Sequence, residues 1–226
     1  MSAVTPFSDD SPGQPFVRGF LHAPAAASGD ALVLTHGAGS NCQSPLLIAL
    51  AAAFADAGIA VLRCDLAFRL SRPHGPPMGT AAKDQQGLRR AVELMKPRAA
   101  RVFLGGHSYG GRQASMLAAS EPGLVPGLLL LSYPLHPPRK PEAPRTAHFP
   151  NLQTPSLFVH GSRDPFGSLQ EMTAALKLIP ARTHIVELDG AGHELIAAKK
   201  GSAEDLAKAL LEEFQMFFRG SPAPSS

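Results

Sequence analysis

Short apolar runs alternate with longer amphipathic stretches along this chain. The runs are rich in Leu, Val and Ile and contain few polar residues, which is typical of strands buried on both faces of a parallel sheet. The longer stretches have the helical spacing of apolar residues that lets a helix pack on such a sheet. The pattern therefore predicts an α/β fold with a mostly parallel sheet flanked by helices on both faces. Seven strands are predicted, at residues 16–22, 31–35, 59–64, 101–106, 127–133, 156–161 and 183–188.

Several of the intervening helices carry local start signals. Ser44 followed by Pro45 predicts an N-cap with proline at the first helical position. Ser168 opens a capping-box pattern, with a glutamate three residues later. A helix is predicted over residues 80–96, and the last helix is predicted near 203–218 with one apolar face turned toward the sheet.

Length and composition favour one domain over residues 1–226. The chain has 226 residues with 44% hydrophobic content, which is enough to bury a substantial core, and it shows no internal repeat. Both ends are rich in Ser and Pro, so we expect flexible termini around an ordered core at about residues 16–218. The start carries Asp9 and Asp10 in place of a basic and apolar secretory signal. The longest apolar stretch, 46–62, is interrupted by Asp56 and Gly58, and we expect a cytoplasmic protein without a membrane span.

Charge and cysteine content argue against several classes of function. The net charge is +3, but the basic residues are scattered and no nucleic-acid recognition motif is present. Two cysteines, Cys42 and Cys64, form neither a disulfide framework nor a metal cluster, and they suit a reducing compartment. We expect no metal or organic cofactor, no nucleic acid and no membrane as partners.

The sequence Gly106-His107-Ser108-Tyr109-Gly110 contains the candidate nucleophile. It has the pattern G-x-S-x-G and lies where a predicted strand gives way to a helix, which is the context in which a sharp turn exposes a serine hydroxyl. The pattern alone is weak, because glycine and serine are common residues. Its value depends on finding a base and an orienting acid.

Candidates for both partners follow later strands in the order expected on this kind of fold. Asp164 follows the strand at 156–161, and His193 follows the strand at 183–188. A serine hydroxyl needs a base to take its proton, and the base needs a third group to orient it. Asp164 could instead only initiate a turn before a proline, and His193 could be a surface histidine. Competing candidates are weaker: Asp189 and Glu194 as acids, His136 as base, and His107, which should point away from Ser108.

An oxyanion hole is also required, meaning N–H donors aimed at the oxygen that becomes negatively charged. The segment LTHGAGS follows the second predicted strand and can present the N–H of Ala38. The second donor is the N–H of Tyr109, directly after the nucleophile. His36 in the same segment is expected to stabilise the loop rather than to catalyse.

With LTHGAGS, GGHSYGG, HGSRDPFG and DGAGHEL in place, the chain resembles the α/β-hydrolase superfamily over residues 16–218. The segments HGAGS, LRCDLAFR, GGHSYGGR and LLLLSYPLHPP resemble its small capless branch related to dienelactone hydrolases, which includes a bacterial group similar to a subunit of an animal histone-acetyltransferase complex. The resemblance implies the roles already given for Ser108, His193, Asp164, Ala38 and Tyr109. Dienelactone hydrolases use a cysteine nucleophile, so their substrate is not carried over. The superfamily often has two antiparallel strands before the first βα unit, but only one is visible here, which predicts a shortened sheet.

The resemblance also implies an open site without a cap domain. Substrate contacts are expected from residues 135–155 and from 67–78. Arg69, Arg72 and Arg112 lie near the expected mouth and could attract a carboxylate or phosphate on the substrate. The alternative is that they pair with neighbours such as Asp65 or remain solvated.

Two functions are consistent with these residues and motifs. The first is a serine hydrolase that cleaves an ester or thioester through an acyl-enzyme, with a small-molecule acyl compound as its substrate. Its activity is expected to rise with pH as His193 loses its proton. Thioesterase, carboxylesterase, lactonase and peptidase activities are ranked in that order. The second is an interaction protein that keeps the fold without useful turnover, since fold does not imply function.

Overall fold

The computed structural model describes residues 2–79, 81–195 and 202–219. Six strands in these ranges run parallel to one another, and two more extend the same sheet at one side through antiparallel pairs. The strands are β1 (Ala3–Asp9), β2 (Val17–Ala23), β3 (Asp30–Thr35), β4 (Ala60–Cys64), β5 (Arg101–His107), β6 (Leu128–Leu131), β7 (Ser156–Gly161) and β8 (Thr183–Leu188). Their order across the sheet is β1-β2-β4-β3-β5-β6-β7-β8. The predicted α/β class with a mostly parallel sheet is confirmed.

The prediction of a shortened sheet is wrong, as is the expectation that the first fifteen residues lie outside the ordered core. β1 pairs antiparallel with β2 along its whole length, from Ala3 opposite Ala23 to Asp9 opposite Val17. The strand was missed because it is largely exposed and contains Pro6. A proline is tolerated on an edge strand, where one side of the backbone needs no ladder hydrogen bonds. At the other terminus, residues 220–226 lie outside the described residues.

Helices cover both faces of the sheet and bury two separate apolar clusters. These helices are α1 (Pro45–Asp56), α2 (Ala67–Ser71), α3 (Ala81–Met95), α4 (Tyr109–Ser120), α5 (Leu169–Leu176) and α6 (Ala203–Phe218). On one face, α1 and α6 pack on alternate strand residues such as Leu32, Leu34 and Phe103. On the other face, α3, α4 and α5 pack on the intervening residues, such as Val33 and Leu104. This alternation is the consequence of the two-residue period of a strand.

The predicted helix starts agree with the observed caps. The hydroxyl of Ser44 accepts the N–H of Leu47, and Ser168 forms a complete capping box with Glu171. The helix predicted over 80–96 is α3, although Thr80 itself lies outside the described residues. The short helix α2 was not predicted, because its five residues are too few to show a helical period.

The sheet determines where the functional side chains gather. Because β3 to β8 are parallel, the loops that follow their carboxyl ends lie at one edge, which is where ligands bind in open α/β sheets. Between β6 and β7 the chain forms loops and a single 3-10 turn at Phe149–Asn151, so no cap domain is inserted there. None of the helices in the described ranges is long and apolar enough to cross a membrane.

Candidate active site

Ser108 lies in a sharp turn between β5 and α4. Its backbone angles, φ 52° and ψ −117°, are sparsely populated for a residue with a side chain and indicate local strain. The turn requires glycines on both sides of it. A Cβ on Gly106 would lie 2.7 Å from the nitrogen of Gly111, and one on Gly110 would lie 2.5 Å from the carbonyl oxygen of His36. The pattern G-x-S-x-G is therefore a packing requirement of this turn.

A continuous chain of hydrogen bonds joins the three residues expected to act together. The Oγ of Ser108 is 2.7 Å from Nε2 of His193. Nδ1 of His193 is 2.8 Å and 3.0 Å from the two carboxylate oxygens of Asp164. An ionised carboxylate only accepts hydrogen bonds, so Nδ1 carries the proton and Nε2 is left to accept from the serine hydroxyl. The geometry is that of a nucleophile, a base and an orienting acid.

The carboxylate of Asp164 is held in its charged form. Its side chain is fully buried, and burial alone would raise its pKa. The hydrogen bond from His193 and a second one from the N–H of Phe166 at 2.9 Å outweigh that effect and hold the pKa of Asp164 below its usual value. Asp164 does lie in a turn before Pro165, but its side chain also orients His193.

The loop that carries His193 is held by two neighbours. The ring of Phe166 lies 4.2 Å from the imidazole ring of His193, centroid to centroid. Nε2 of His107 donates to the backbone carbonyl of His193 at 2.8 Å. Burial lowers the pKa of His107, so this ring remains neutral. His107 therefore holds the loop that carries His193, a contact that its sequence position alone did not indicate.

The competing candidates make other contacts. His136 donates from Nδ1 to the carbonyl of Pro137 at 2.8 Å and lies 3.5 Å from Glu171, so it does not contact Ser108. Asp189 accepts a long hydrogen bond from Ser162 at 3.5 Å, and its carboxylate does not contact His193.

The loop after β3 lies against Ser108. A Cβ added to Gly37 would lie 3.4 Å from the Cβ of Ser108. Nδ1 of His36 donates to the carbonyl oxygen of Gly37 at 2.8 Å, while its Nε2 accepts the N–H of Leu66 at 3.1 Å. In a trans peptide the C=O and N–H point in opposite directions, so this contact turns the N–H of Ala38 away from His36. His36 thus stabilises the loop, as expected.

Arg69 has a different role from the one expected. It is 4% exposed, and its guanidinium donates to the carbonyls of Ala38 at 2.7 Å and Ser40 at 2.8 Å. Two further contacts at 3.2 Å reach the carbonyls of Arg72 and Gly75. The expectation that Arg69 contacts an anionic substrate is therefore wrong, because its donors are engaged by the backbone. The pairing considered as the alternative does not occur either, since Asp65 pairs with Arg18.

Two backbone N–H groups remain available near Ser108. Across the described residues, the N–H groups of Ala38 and Tyr109 have no intramolecular acceptor. The N–H of Tyr109 is one of the unpaired donors at the start of α4, where the helix also favours negative charge. The hydroxyl of Tyr109 donates to the buried carboxylate of Asp84 at 2.8 Å, which fixes this residue at the helix start. Asp84 was not recognised in the sequence because it lies inside α3, far from any motif.

The remaining arginines differ in their surroundings. Arg72 is exposed, and its guanidinium contacts the sulfur of Met78 at 2.6 Å. Arg112 lies in the first turn of α4, where its N–H donates to the carbonyl of Ser108 at 3.0 Å. The Nε of Arg112 is buried without a hydrogen-bond partner.

Comparison with known proteins identifies the family. A family model described as an alpha/beta hydrolase domain matches residues 28–218. The chain belongs to this family. The match covers all strands of this α/β hydrolase from β3 onward and each residue of the Ser108 hydrogen-bond chain.

Solved structures share the fold at low sequence identity. A dienelactone hydrolase from Anabaena variabilis is 22% identical, with a TM-score of 0.75, over 95% of this chain and 98% of its own. Est1E from Butyrivibrio proteoclasticus is 16% identical, with a TM-score of 0.74, over 94% and 98%. A serine hydrolase without a lid from Xanthomonas campestris is 17% identical, with a TM-score of 0.67, over 98% and 97%. At these identities the likeness shows the fold, and the substrates of these proteins are not transferred.

Buried histidines predict that this α/β hydrolase loses stability in mild acid. Burial, with the charge of Arg63, lowers the pKa of His22 to about 4, and burial also lowers the pKa of His36 to about 4. Between the unfolded value of 6.5 and the folded value, only the unfolded chain takes up these protons, so stability falls as pH falls through that window. At about pH 5 the loss is about 2 kcal/mol for each histidine.

Urea unfolding at several pH values measures this loss. In wild type the free energy of unfolding should fall between about pH 7 and about pH 5. We expect His22→Gln to reduce that fall by about 2 kcal/mol, which is the contribution of one histidine. His74→Gln is the matched control, because His74 is exposed. An equal fall in His22→Gln and wild type would contradict the assignment.

Proposed function

We propose that this α/β hydrolase is a serine hydrolase that cleaves an ester or thioester, with Ser108 as nucleophile, His193 as base and Asp164 as orienter. The observation that carries the proposal is the unbroken hydrogen-bond chain that begins at a serine held in a strained turn. Strain of this kind persists only where the surrounding structure over-determines it, and it concentrates at active sites. A scaffold has no physical need for such an arrangement.

The geometry supports a two-step reaction. Ser108 Oγ attacks the substrate carbonyl while His193 Nε2 takes the hydroxyl proton, and the N–H groups of Ala38 and Tyr109 stabilise the oxyanion. The C–O or C–S bond to the leaving group then breaks, and His193 returns the proton to that group. A water molecule, deprotonated by His193, next attacks the acyl-enzyme. The bond between the acyl carbon and Ser108 Oγ then breaks as His193 gives its proton to that oxygen, which releases the carboxylic acid and free Ser108.

The substrate is proposed to be a small acyl compound that reaches an open site. No cap is inserted between β6 and β7, which supports direct access from solvent. A cytoplasmic location and the absence of nucleic-acid and membrane partners remain predictions.

Intact-mass spectrometry after exposure to a fluorophosphonate tests the proposal. We expect one adduct on the wild-type chain and none on Ser108→Ala. Ser132→Ala is the matched control, since Ser132 is also buried, also has a positive φ of 46°, and directly follows the neighbouring strand β6. Loss of the adduct only in Ser108→Ala identifies the nucleophile. Hydrolysis of an oxygen ester and a thioester with the same acyl group then ranks the two activities.

A folded wild-type protein that stays unlabelled would contradict the proposal. It would favour the second function considered from the sequence, an interaction protein that keeps the fold. A partner recovered at stoichiometric level would then support that function.

Replacement of Arg69 is expected to lower kcat, because its side chain holds the loop that carries Ala38. Arg69→Met removes both contacts to the carbonyls of Ala38 and Ser40, so the N–H of Ala38 should be less well oriented. Removal of one oxyanion donor lowers kcat by about a hundredfold to a thousandfold. Arg69→Met only misaligns the donor, so we expect it to lower kcat by about tenfold to a hundredfold and to leave KM little changed.

Steady-state kinetics with a neutral ester checks this prediction. Arg72→Met is the matched control, because Arg72 lies three residues away and is exposed. Arg69→Lys should not restore the rate, since one ammonium cannot reproduce the fork that spans these carbonyls. A change in KM alone would show that Arg69 acts on substrate binding instead.

A further inference from the structure

We propose that Arg112 and Arg145 form an anion subsite beside the nucleophile, and that the preferred substrate is an ester carrying a carboxylate or phosphate close to the bond that is cleaved. The inference rests on the proposed hydrolase function and narrows its substrate class. It departs from the sequence-based expectation, because Arg145 replaces Arg69 and Arg72 as the partner of Arg112.

Hydrogen bonds, ring contacts and the charge of Arg112 relate the two arginines to one group of residues, which we call the arginine cluster: Arg112, Ser115, Tyr133, Arg145 and His148. The hydroxyl of Ser115 donates to the carbonyl of Arg112 at 2.9 Å and lies 2.8 Å from Nε2 of His148. The ring of Tyr133 lies 6.5 Å from that of His148, and its hydroxyl donates to the carbonyl of Arg145 at 2.6 Å.

The cluster holds positive charge without a carboxylate. All 18 Asp and Glu residues of the chain lie within the described residues, and none forms an ion pair with Arg112 or Arg145. The Nε of Arg112 is buried and unpartnered. The guanidinium of Arg145 makes one long contact, 3.5 Å to the carbonyl of Pro134. Both side chains are half-buried, so their charges are less well hydrated than those of surface arginines.

The neighbours of Arg112 respond to its charge. Burial and the charge of Arg112 lower the pKa of Arg145, and the same two causes lower the pKa of His148 to about 4. His148 is therefore neutral. Because Ser115 donates its proton to the carbonyl of Arg112, Nε2 of His148 must donate to Ser115. With His148 neutral, Arg112 and Arg145 are the cationic groups of the cluster, and each disfavours the charge of the other. A bound anion would relieve that repulsion.

The cluster lies on the nucleophile's side of α4. Arg112 is one helical turn after Ser108, and its N–H donates to the carbonyl of that serine. The Cα–Cβ bonds of a helix tilt toward its N-terminus, and Arg112 lies in the first turn of α4, at the end that carries Ser108 and Tyr109. Arg145 belongs to the segment between β6 and β7, which follows the strand next to β5. A substrate carbonyl at Ser108 would have its remaining atoms within reach of these side chains.

Carboxylates and phosphates match this site. The planar guanidinium of arginine presents paired donors that fit two oxygens of either group, and such charge-assisted hydrogen bonds are stronger than neutral ones. The bound ester would thus be anchored at its anionic end while its carbonyl lies at Ser108. Neutral esters of the same size would bind without that anchor.

Two matched pairs of substrates test the proposal. Monoethyl succinate and ethyl 3-phosphonopropanoate carry the anion, and ethyl 4-methylpentanoate replaces the succinate carboxylate with an isopropyl group of the same shape. The measured quantity is the ratio of kcat/KM for each anionic ester to that for the neutral ester. The variants are Arg112→Met and Arg145→Met, with Arg98→Met as a control of equal charge change, since Arg98 is exposed and precedes β5 at the opposite edge of the sheet.

We expect each of the two variants to lower this ratio by about tenfold or more, because a hydrogen bond to a charged group is lost. Arg98→Met should leave it unchanged. In the wild-type protein, the anionic ester with the larger ratio shows whether the subsite prefers a carboxylate or a phosphonate. Equal ratios in all four proteins would overturn the subsite while leaving the hydrolase function intact. Arg112→Gln and Arg145→Gln, checked for folding by circular dichroism, repeat the test if a methionine variant does not fold.

Binding separates this proposal from the hydrolase function. Calorimetric titration of Ser108→Ala with monoethyl succinate needs no turnover. Binding that is weakened about tenfold or more when Arg112→Met or Arg145→Met is added supports the subsite even if no ester is hydrolysed. Absence of binding, or binding that neither arginine affects, overturns it.

Discussion

Ser108→Ala is expected to lower the kcat of ester hydrolysis by about a millionfold, the effect measured when the nucleophile of a serine protease is removed. In this α/β hydrolase the Oγ of Ser108 lies 2.7 Å from Nε2 of His193. An alanine leaves the base and the oxyanion donors in place but supplies no oxygen to form the acyl-enzyme. Hydrolysis should then proceed only through water that happens to lie near His193.

Stability measurements show whether the loss is chemical. Ser108 has a φ of 52°, which an alanine must also adopt, so Ser108→Ala should unfold at nearly the same urea concentration as wild type. Ser108→Gly should be more stable by about 1 kcal/mol or more, because glycine adopts this conformation without strain. An inactive Ser108→Ala protein that is also unfolded would leave Ser108→Gly as the variant that tests the chemistry. Ser132→Ala, the control directly after β6, should retain full activity.

The sequence predicted which side chains meet in the candidate site, because their order and local context are both constrained. Ser108, Asp164 and His193 each follow the carboxyl end of a parallel strand, and parallel strands bring such ends to one edge. Apolar runs made those strands visible. Short motifs then indicated which residue of each loop belongs to the candidate site.

The supporting contacts were harder to predict because they join residues without a shared motif. Arg69 was expected at the mouth of the site, yet it lies buried under the loop that carries Ala38. An arginine that binds four carbonyls and one that binds a substrate look the same in a sequence. His107 was recognised only as a neighbour of Ser108, although it supports the loop of His193. The strand β1 was missed for a related reason, since its stability comes from pairing with β2 and not from an apolar pattern of its own.

Asp164→Asn is expected to lower kcat by about ten-thousandfold, as in serine proteases whose orienting aspartate is replaced. The physical reason is the tautomer of His193. The N–H of Phe166 donates to Oδ1 of Asp164 at 2.9 Å, so an asparagine would place its carbonyl oxygen there. Its NH2 group would then occupy the position of Oδ2, which is 2.8 Å from Nδ1 of His193. Nδ1 would have to accept, and the proton would move to Nε2, which could no longer take the proton of Ser108.

The rate of fluorophosphonate labelling and the kcat for a neutral ester measure this effect together, because both need an activated hydroxyl. Asp189→Asn is the matched control, since Asp189 was the competing acid in the sequence and its carboxylate accepts from Ser162. We expect Asp189→Asn to label and turn over like wild type. If Asp164→Asn kept more than about a tenth of the wild-type kcat, or if both variants lost activity equally, Asp164 would not be the residue that sets the tautomer of His193. Because the tautomer and not the charge of the base is at fault, raising the pH should not restore the activity of Asp164→Asn to the wild-type value.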